Sequence, residues 1–217
     1  MKFAAVLFDL DGTLLNTLDD IASSANRALV QHGYPPHPKD DYRFFVGQGV
    51  TQLIIRILPA DQQDNSTLIE SCLTAFREDY GRYFQVMTMP YAGVAETLNE
   101  LSDRGLKLAV LSNKPDEMTR QCVAAFFSDL RFDIVMGQQE GIPPKPDPTG
   151  ARLITKRLQI APARFLYLGD SSIDMQTAAA AKMFPVGALW GFRSREELLK
   201  SGARALINQP GDLLSLL

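Results

Sequence analysis

Cysteine is scarce in this 217-residue chain, which has only Cys72 and Cys122. Both fall in segments of helical pattern, so a disulfide framework is excluded and isolated buried thiols in a reducing compartment are expected. Basic charge is not in excess either. Lys and Arg number 22 against 25 Asp and Glu, a formal net charge of −3, which leaves no electrostatic footprint for nucleic acid. No apolar stretch approaches the roughly 20 residues that span a bilayer. The opening run Met1 to Phe8 is interrupted by Asp9 and Asp11 before a secretory signal could develop. A soluble, cytoplasmic protein is expected, with no membrane partner. His32 and His37, at a helix end and in a Pro-rich loop, read as surface residues rather than metal ligands. No Gly-x-x-x-x-Gly-Lys segment is present. Gly47-Gln48-Gly49 neither follows a strand nor has a third glycine, so P-loop and dinucleotide-binding readings drop out.

What is present is a core-forming chain, 46% hydrophobic, long enough for one domain or one and a half. Ala4 to Phe8 is a short apolar run and reads as a buried strand. Leu18, Ile21, Ala22, Ala25, Ala28 and Leu29 then recur at helical spacing, stopped by Gly33 and Pro35-Pro36. Further helices are predicted over Val50–Leu58 and Ser66–Phe84, with no good strand between Leu15 and Val86. Beyond that point strands (106–111, 133–136, 165–168, 186–189, 205–207) alternate with helices (94–104, 115–127, 149–158, 172–183). Such alternation indicates an α/β fold with a doubly wound, Rossmann-like, mostly parallel sheet. The expected organisation is a core of residues 1–15 and 86–217, interrupted by an all-helical cap of residues 16–85.

The chemistry is concentrated where strands end. Asp9-Leu10-Asp11-Gly12-Thr13-Leu14 follows the first strand, and alternation in an extended segment would put Asp9 and Asp11 on one side. Two close carboxylates repel unless a cation or a shared proton offsets them. Three more segments follow predicted strands or lie in nearby loops: Ser112-Asn113-Lys114, Lys145-Pro146-Asp147-Pro148, and Gly169-Asp170-Ser171-Ser172-Ile173-Asp174. In a parallel sheet all of these reach one edge, the edge where open α/β sheets bind ligands. A carboxylate approaching a phosphate meets about 4 kcal/mol of repulsion per charge pair at ~4 Å and an effective dielectric near 20. Cations must therefore assist. Asp9 and Asp170 with a backbone carbonyl make a hard oxygen site suited to Mg²⁺. Lys145 would add fixed positive charge, while the Ser112 hydroxyl and Asn113 amide could hydrogen-bond a transferring phosphoryl group.

Taken together, these motifs resemble those of the haloacid dehalogenase superfamily, and their order covers the whole chain. The resemblance implies a Rossmann-like core with an inserted helical cap and phosphatase chemistry. It implies that Asp9 is a nucleophile forming an aspartyl-phosphate. Asp11 would be the general acid and then base, with its carbonyl on the metal. Ser112 and Lys145 would bind phosphate, Asp170 would ligate Mg²⁺, and Asp174 would support the metal. Asp11 argues against the dehalogenase branch, which lacks a second acid. Lys39, the lysine of the insert, lies in a charged loop unsuited to phosphonatase chemistry, and Leu18 to Ile21 has no mutase-like His. Val46-Gly47-Gln48-Gly49-Val50, Ser112-Asn113-Lys114-Pro115 and the tail Trp190 to Leu199 are similar to the phosphoglycolate phosphatase branch. Ser112 and Ile173 depart from its commonest pattern. The resemblance therefore implies a small-molecule phosphate ester substrate, 2-phosphoglycolate foremost. In the cap loop, Arg43 would serve as a charged clamp, and Gly47 and Gly49 would allow close backbone approach. Pyrophosphatase or phosphomutase activity, a non-catalytic module that kept the fold, and the choice between monomer and homodimer stay open.

Overall fold

The computed structural model describes residues 2–217. The chain forms β1 (Ala5–Phe8), the two-residue β2 (Leu15–Asn16), and then the helices α1 (Leu18–Gln31), α2 (Tyr42–Phe45), α3 (Val50–Ile57) and α4 (Ser66–Tyr83). It continues through β3 (Met89–Pro90), α5 (Val94–Asp103), β4 (Lys107–Pro115), α6 (Asp116–Phe126), β5 (Ile134–Gln138) and α7 (Thr149–Leu158). The last elements are β6 (Phe165–Gly169), α8 (Ser172–Ala180), β7 (Phe184–Ala188), α9 (Arg195–Lys200) and β8 (Ala205–Ile207).

Six strands form one parallel sheet in the order β5-β4-β1-β6-β7-β8. The chain runs outward from β1 to β5, then returns beside β1 as β6, so the reversal falls at the central strand. β1 is buried on both faces, which is why it reads as continuous apolar sequence rather than as an alternating pattern. Val6 and Phe8 join the core on one face, and Ala5 and Leu7 join the core on the other. Burying each large side chain contributes about 1.5–3 kcal/mol. Among the described residues, no helix is long and apolar enough to cross a membrane.

Helix positions follow the sequence periodicity closely, because apolar stripes and end signals agree. α1 buries Leu18, Ile21, Ala25, Ala28 and Leu29 and carries Asp19 and Asp20 in its first turn, where acids favour the helix dipole. The Asn65 side chain caps α4 by accepting from the Leu68 amide at 3.2 Å. β4 differs from expectation. It does not stop at Leu111 but runs through Ser112, Asn113 and Lys114 to Pro115, with a shift of register against β5 between Leu111 and Pro115. An irregularity of this kind lets polar residues leave the ladder while the backbone stays extended. The histidines are also not surface residues. Both are half-buried, and His32 Nδ1 meets the Ala28 carbonyl at 2.8 Å while His37 Nε2 meets the Ile57 carbonyl at 2.7 Å.

Neither β2 nor β3 is legible from periodicity, since two residues carry no pattern. They pair antiparallel, Leu15 with Pro90 and Asn16 with Met89, where the chain enters and leaves the four-helix segment. Asp20 fixes the return crossing. Its buried carboxylate accepts from the Met87 amide at 3.0 Å, and from the amide and hydroxyl of Thr88 at 2.8 Å each. Asp20→Ala would strand these donors, and unmet buried groups cost about 1–3 kcal/mol each. The variant should lose about 2–3 kcal/mol, a Tm fall of about 4–12 °C for a chain of this size. A calorimetric Tm within a degree of the parent would refute the clamp.

Candidate active site

The site begins where β1 ends. The Asp9 amide donates to the Leu168 carbonyl of β6 at 2.9 Å, and the chain then coils so that the Leu10 carbonyl accepts from Leu14 and Leu15. The chain bends at Leu10, and Asp9 and Asp11 do not share one partner. Both line the same cavity, but each faces its own lysine. Gly12 permits the coil. Its φ is +87°, and a Cβ there would run into the Asp170 carboxylate. Gly191 is required for the same contact, because its Cβ would collide with Asp170 from the other side.

Lys145 bridges two acids of a buried cluster. Its ammonium donates to Asp9 Oδ1 and Asp174 Oδ1, both at 2.7 Å, with all three residues buried. Asp9, Asp170 and Asp174 each offer a carboxylate oxygen, and these oxygens lie within 4.8 Å of one another. Burial, with Asp174 nearby, raises the Asp9 pKa to about 7 against the pull of Lys145. Burial followed by repulsion from Asp174 and Asp9 pushes Asp170 well above the carboxylate range, although the Phe192 amide donates to it at 2.7 Å. Asp174 completes a capping box at the start of α8, accepting from the Ser171 hydroxyl at 2.7 Å. Two of the three acids share one ammonium, and Asp170 stands beside them without a cation. This oxygen-only donor set fits a hard divalent cation such as Mg²⁺.

A second ion pair stands beside the first. Lys114 Nζ donates to Asp11 Oδ1 at 2.7 Å and to the Tyr80 hydroxyl of α4 at 3.0 Å. Burial opposes the Lys114 charge, but Asp11 outweighs it and holds the ammonium well above the usual lysine range. The sequence reading assigned Lys114 no role. Alternation along β4 carries the signal, since Lys114 is two residues past Ser112 and shares its side.

Ser112 and Asn113 line the cavity, and the Asn113 side chain ties neighbouring loops together. Its Nδ2 donates to the carbonyls of Gly47 at 2.9 Å and Lys145 at 3.0 Å, and its Oδ1 accepts from the Lys145 amide at 2.8 Å. Gly47 and Gly49 also reach the cavity wall. Arg43 does not. Its guanidinium turns to the Gly191 carbonyl at 3.4 Å and to Asp40 at 3.7 Å. Arg193, another residue without an expected role, lines the cavity instead and donates to the carbonyls of Arg43 and Val46.

The profile of the haloacid dehalogenase-like hydrolases matches residues 6–188, and the chain belongs to that family. A phosphoglycolate phosphatase of Haemophilus influenzae is 31% identical, covering 100% of this chain and 99% of its own. One from Aquifex aeolicus is 29% identical, covering 98% and 95%. A crystal structure of a predicted phosphoglycolate phosphatase from Haemophilus somnus superposes with a TM-score of 0.93 at 27% identity, covering 100% of this chain and 98% of that one.

The two ion environments differ in what removal of a lysine should do. Lys114→Met would leave the largely buried Asp11 without its partner, a loss of up to about 3–5 kcal/mol for a pair of this kind. Lys107→Met breaks the half-exposed pair with Asp133 and should cost less than about 1 kcal/mol. Urea melts compare the two. Equal losses would show that the Lys114–Asp11 pair has no special place in the fold.

Proposed function

We propose that this chain is a Mg²⁺-dependent phosphatase that hydrolyses a small organic phosphate monoester through an aspartyl-phosphate on Asp9. The observation that carries the reading is the buried cluster of Asp9, Asp170 and Asp174, two of them bound to Lys145, at the sheet edge and open to a cavity. Asp9, Asp170 and the Asp11 carbonyl would hold Mg²⁺, with Asp174 supporting them. The ion would screen the phosphate's charge and favour the ionised form of Asp9.

Asp9 then attacks phosphorus, its oxygen–phosphorus bond forming as the ester oxygen departs. Asp11 would serve as the general acid that passes a proton to the leaving alcohol. In the second step Asp11, now a carboxylate paired with Lys114, takes a proton from the water that releases phosphate from Asp9. Lys145 and the Ser112 hydroxyl bind the phosphoryl oxygens as charge spreads over them. Asn113 holds the loop of Lys145 in place.

Residues 16–85 serve as a cap over a core of residues 1–15 and 86–217, and the β2–β3 ribbon supports that boundary. Closure would exclude water from the reacting groups. The names of the relatives favour 2-phosphoglycolate as substrate. The buried free thiols of Cys72 and Cys122 suit a reducing cytoplasm. All groups named come from one chain, so a monomer or a homodimer would serve.

Steady-state kinetics on 2-phosphoglycolate and hexose phosphates test this reading. Turnover should favour the smaller ester, and Asp9→Asn should abolish it, since loss of a nucleophile costs many powers of ten. Residual activity above roughly a tenth would exclude covalent catalysis at Asp9. The metal assignment has a readout apart from turnover. Mg²⁺ at a hundred times its Kd should stabilise the protein by about 2.7 kcal/mol, a Tm rise of about 5–10 °C over the EDTA-treated form. Asp170→Asn should lose that increment. A parent protein that melts alike in Mg²⁺ and EDTA, or turns over fully in EDTA, would contradict it.

A further inference from the structure

We propose that the cavity above Asp9 accepts a second substrate class: phosphate monoesters whose alcohol carries an aromatic ring or short apolar chain. The proposal rests on the phosphatase reading above. The cavity measures about 540 Å³, within the range that buries drug-sized ligands. A phosphate seated at Asp9 and Lys145 with a two-carbon acid attached would occupy only its inner end.

The remainder is walled by apolar side chains. Ile21 of α1, Val50 and Leu53 of α3, Phe76 of α4 and Met118 of α6 converge there. The outer mouth, between α4 and α6, is polar and carries the exposed residues Arg77, Glu117 and Gln121. Two cations of the inner cavity wall already have partners, and Arg77 lies out at the exposed mouth. Lys114 is bound to Asp11 and Tyr80, and Arg193 is bound to two carbonyls of the α2–α3 segment. Neither requires an anionic leaving group to balance it.

The chemistry of the wall selects among alcohols. Sugar hydroxyls set against Leu53 and Phe76 would lose their hydrogen bonds to water without replacement. An aromatic ring would instead be buried against Phe76, which itself stacks on Tyr80 with centroids 5.4 Å apart. The Met118 thioether, half-buried on the facing helix, adapts to ring shapes and favours contact with them. The reaction is unchanged. An oxygen of Asp9 bonds to phosphorus, the ester P–O bond breaks, the alcohol leaves with the proton from Asp11, and water frees inorganic phosphate.

Two esters with similar leaving alcohols separate pocket from chemistry. For the Mg²⁺-loaded full chain, kcat/KM for 2-phenylethyl phosphate should exceed that for ethyl phosphate by about tenfold or more. Met118→Gln should narrow this ratio at least about threefold, whereas Met118→Leu should keep it. A parent ratio near one, or a ratio unmoved by Met118→Gln, would overturn the proposal. Calorimetric binding of 3-phenylpropylphosphonate and propylphosphonate gives an arm independent of turnover. Tighter binding of the phenyl compound without hydrolysis of any ester would uphold the apolar chamber and defeat the phosphatase reading. Equal binding of the two, with ethyl phosphate still hydrolysed, would defeat the chamber alone.

Discussion

Ionised carboxyl groups deprived of water repel strongly, and this molecule confines three carboxyl groups together. At ~4 Å and an effective dielectric near 20, each carboxylate pair costs about 4 kcal/mol. Asp9, Asp170 and Asp174 cannot move apart, because each is fixed by the backbone or by a neighbour. Asp9 follows the central strand, Asp170 is held by the Phe192 amide, and Asp174 is tied into the start of α8. Lys145 offsets part of the repulsion and is itself anchored through Asn113. The glycines at 12 and 191 follow from the same crowding, since no side chain fits beside Asp170. The acid excess, the anchored lysine and the bare backbone around them form one arrangement. None of its members can be exchanged without disturbing the others.

Much of this was legible beforehand, for identifiable reasons. Ala5 to Phe8 is apolar on both sides because it is the middle strand, and the acids at its end mark the edge of a parallel sheet. The longer helices were legible from apolar stripes and end signals, whereas the short α2 and α9 were not expected. What could not be read was pairing. The sequence quotes Lys114 and Arg193 but does not say that one meets Asp11 and the other binds the carbonyls of residues 43 and 46. Arg43 shows the converse. A cation in a loop near the site has the right charge, yet its side chain turns toward Asp40 and Gly191. Contacts between segments far apart in sequence leave no periodic trace.

Those unread pairings share a direction. Asn113 to Gly47, Lys114 to Tyr80, and Arg193 to Arg43 and Val46 each join the sheet side of the molecule to the helical segment. In each case the residue on the sheet side also touches, or stands beside, a member of the acid cluster or its ion pair. Movement of the helices would therefore be felt first by Lys145, through Asn113, and by Asp11, through Lys114. The same polar groups that line the cavity also hold its roof.

The β2–β3 ribbon has a different kind of consequence. It brings the two ends of the helical segment side by side, Leu15 against Pro90 and Asn16 against Met89. From the viewpoint of the sheet, whatever lies between is a loop whose ends are already closed. Closing a longer loop is entropically cheap, about 0.6 kcal/mol for each doubling of length. A lineage could therefore shorten, lengthen or replace the helical segment at this joint while the acid cluster stayed in register. The chemistry and the shape of its cover are thus separately inheritable.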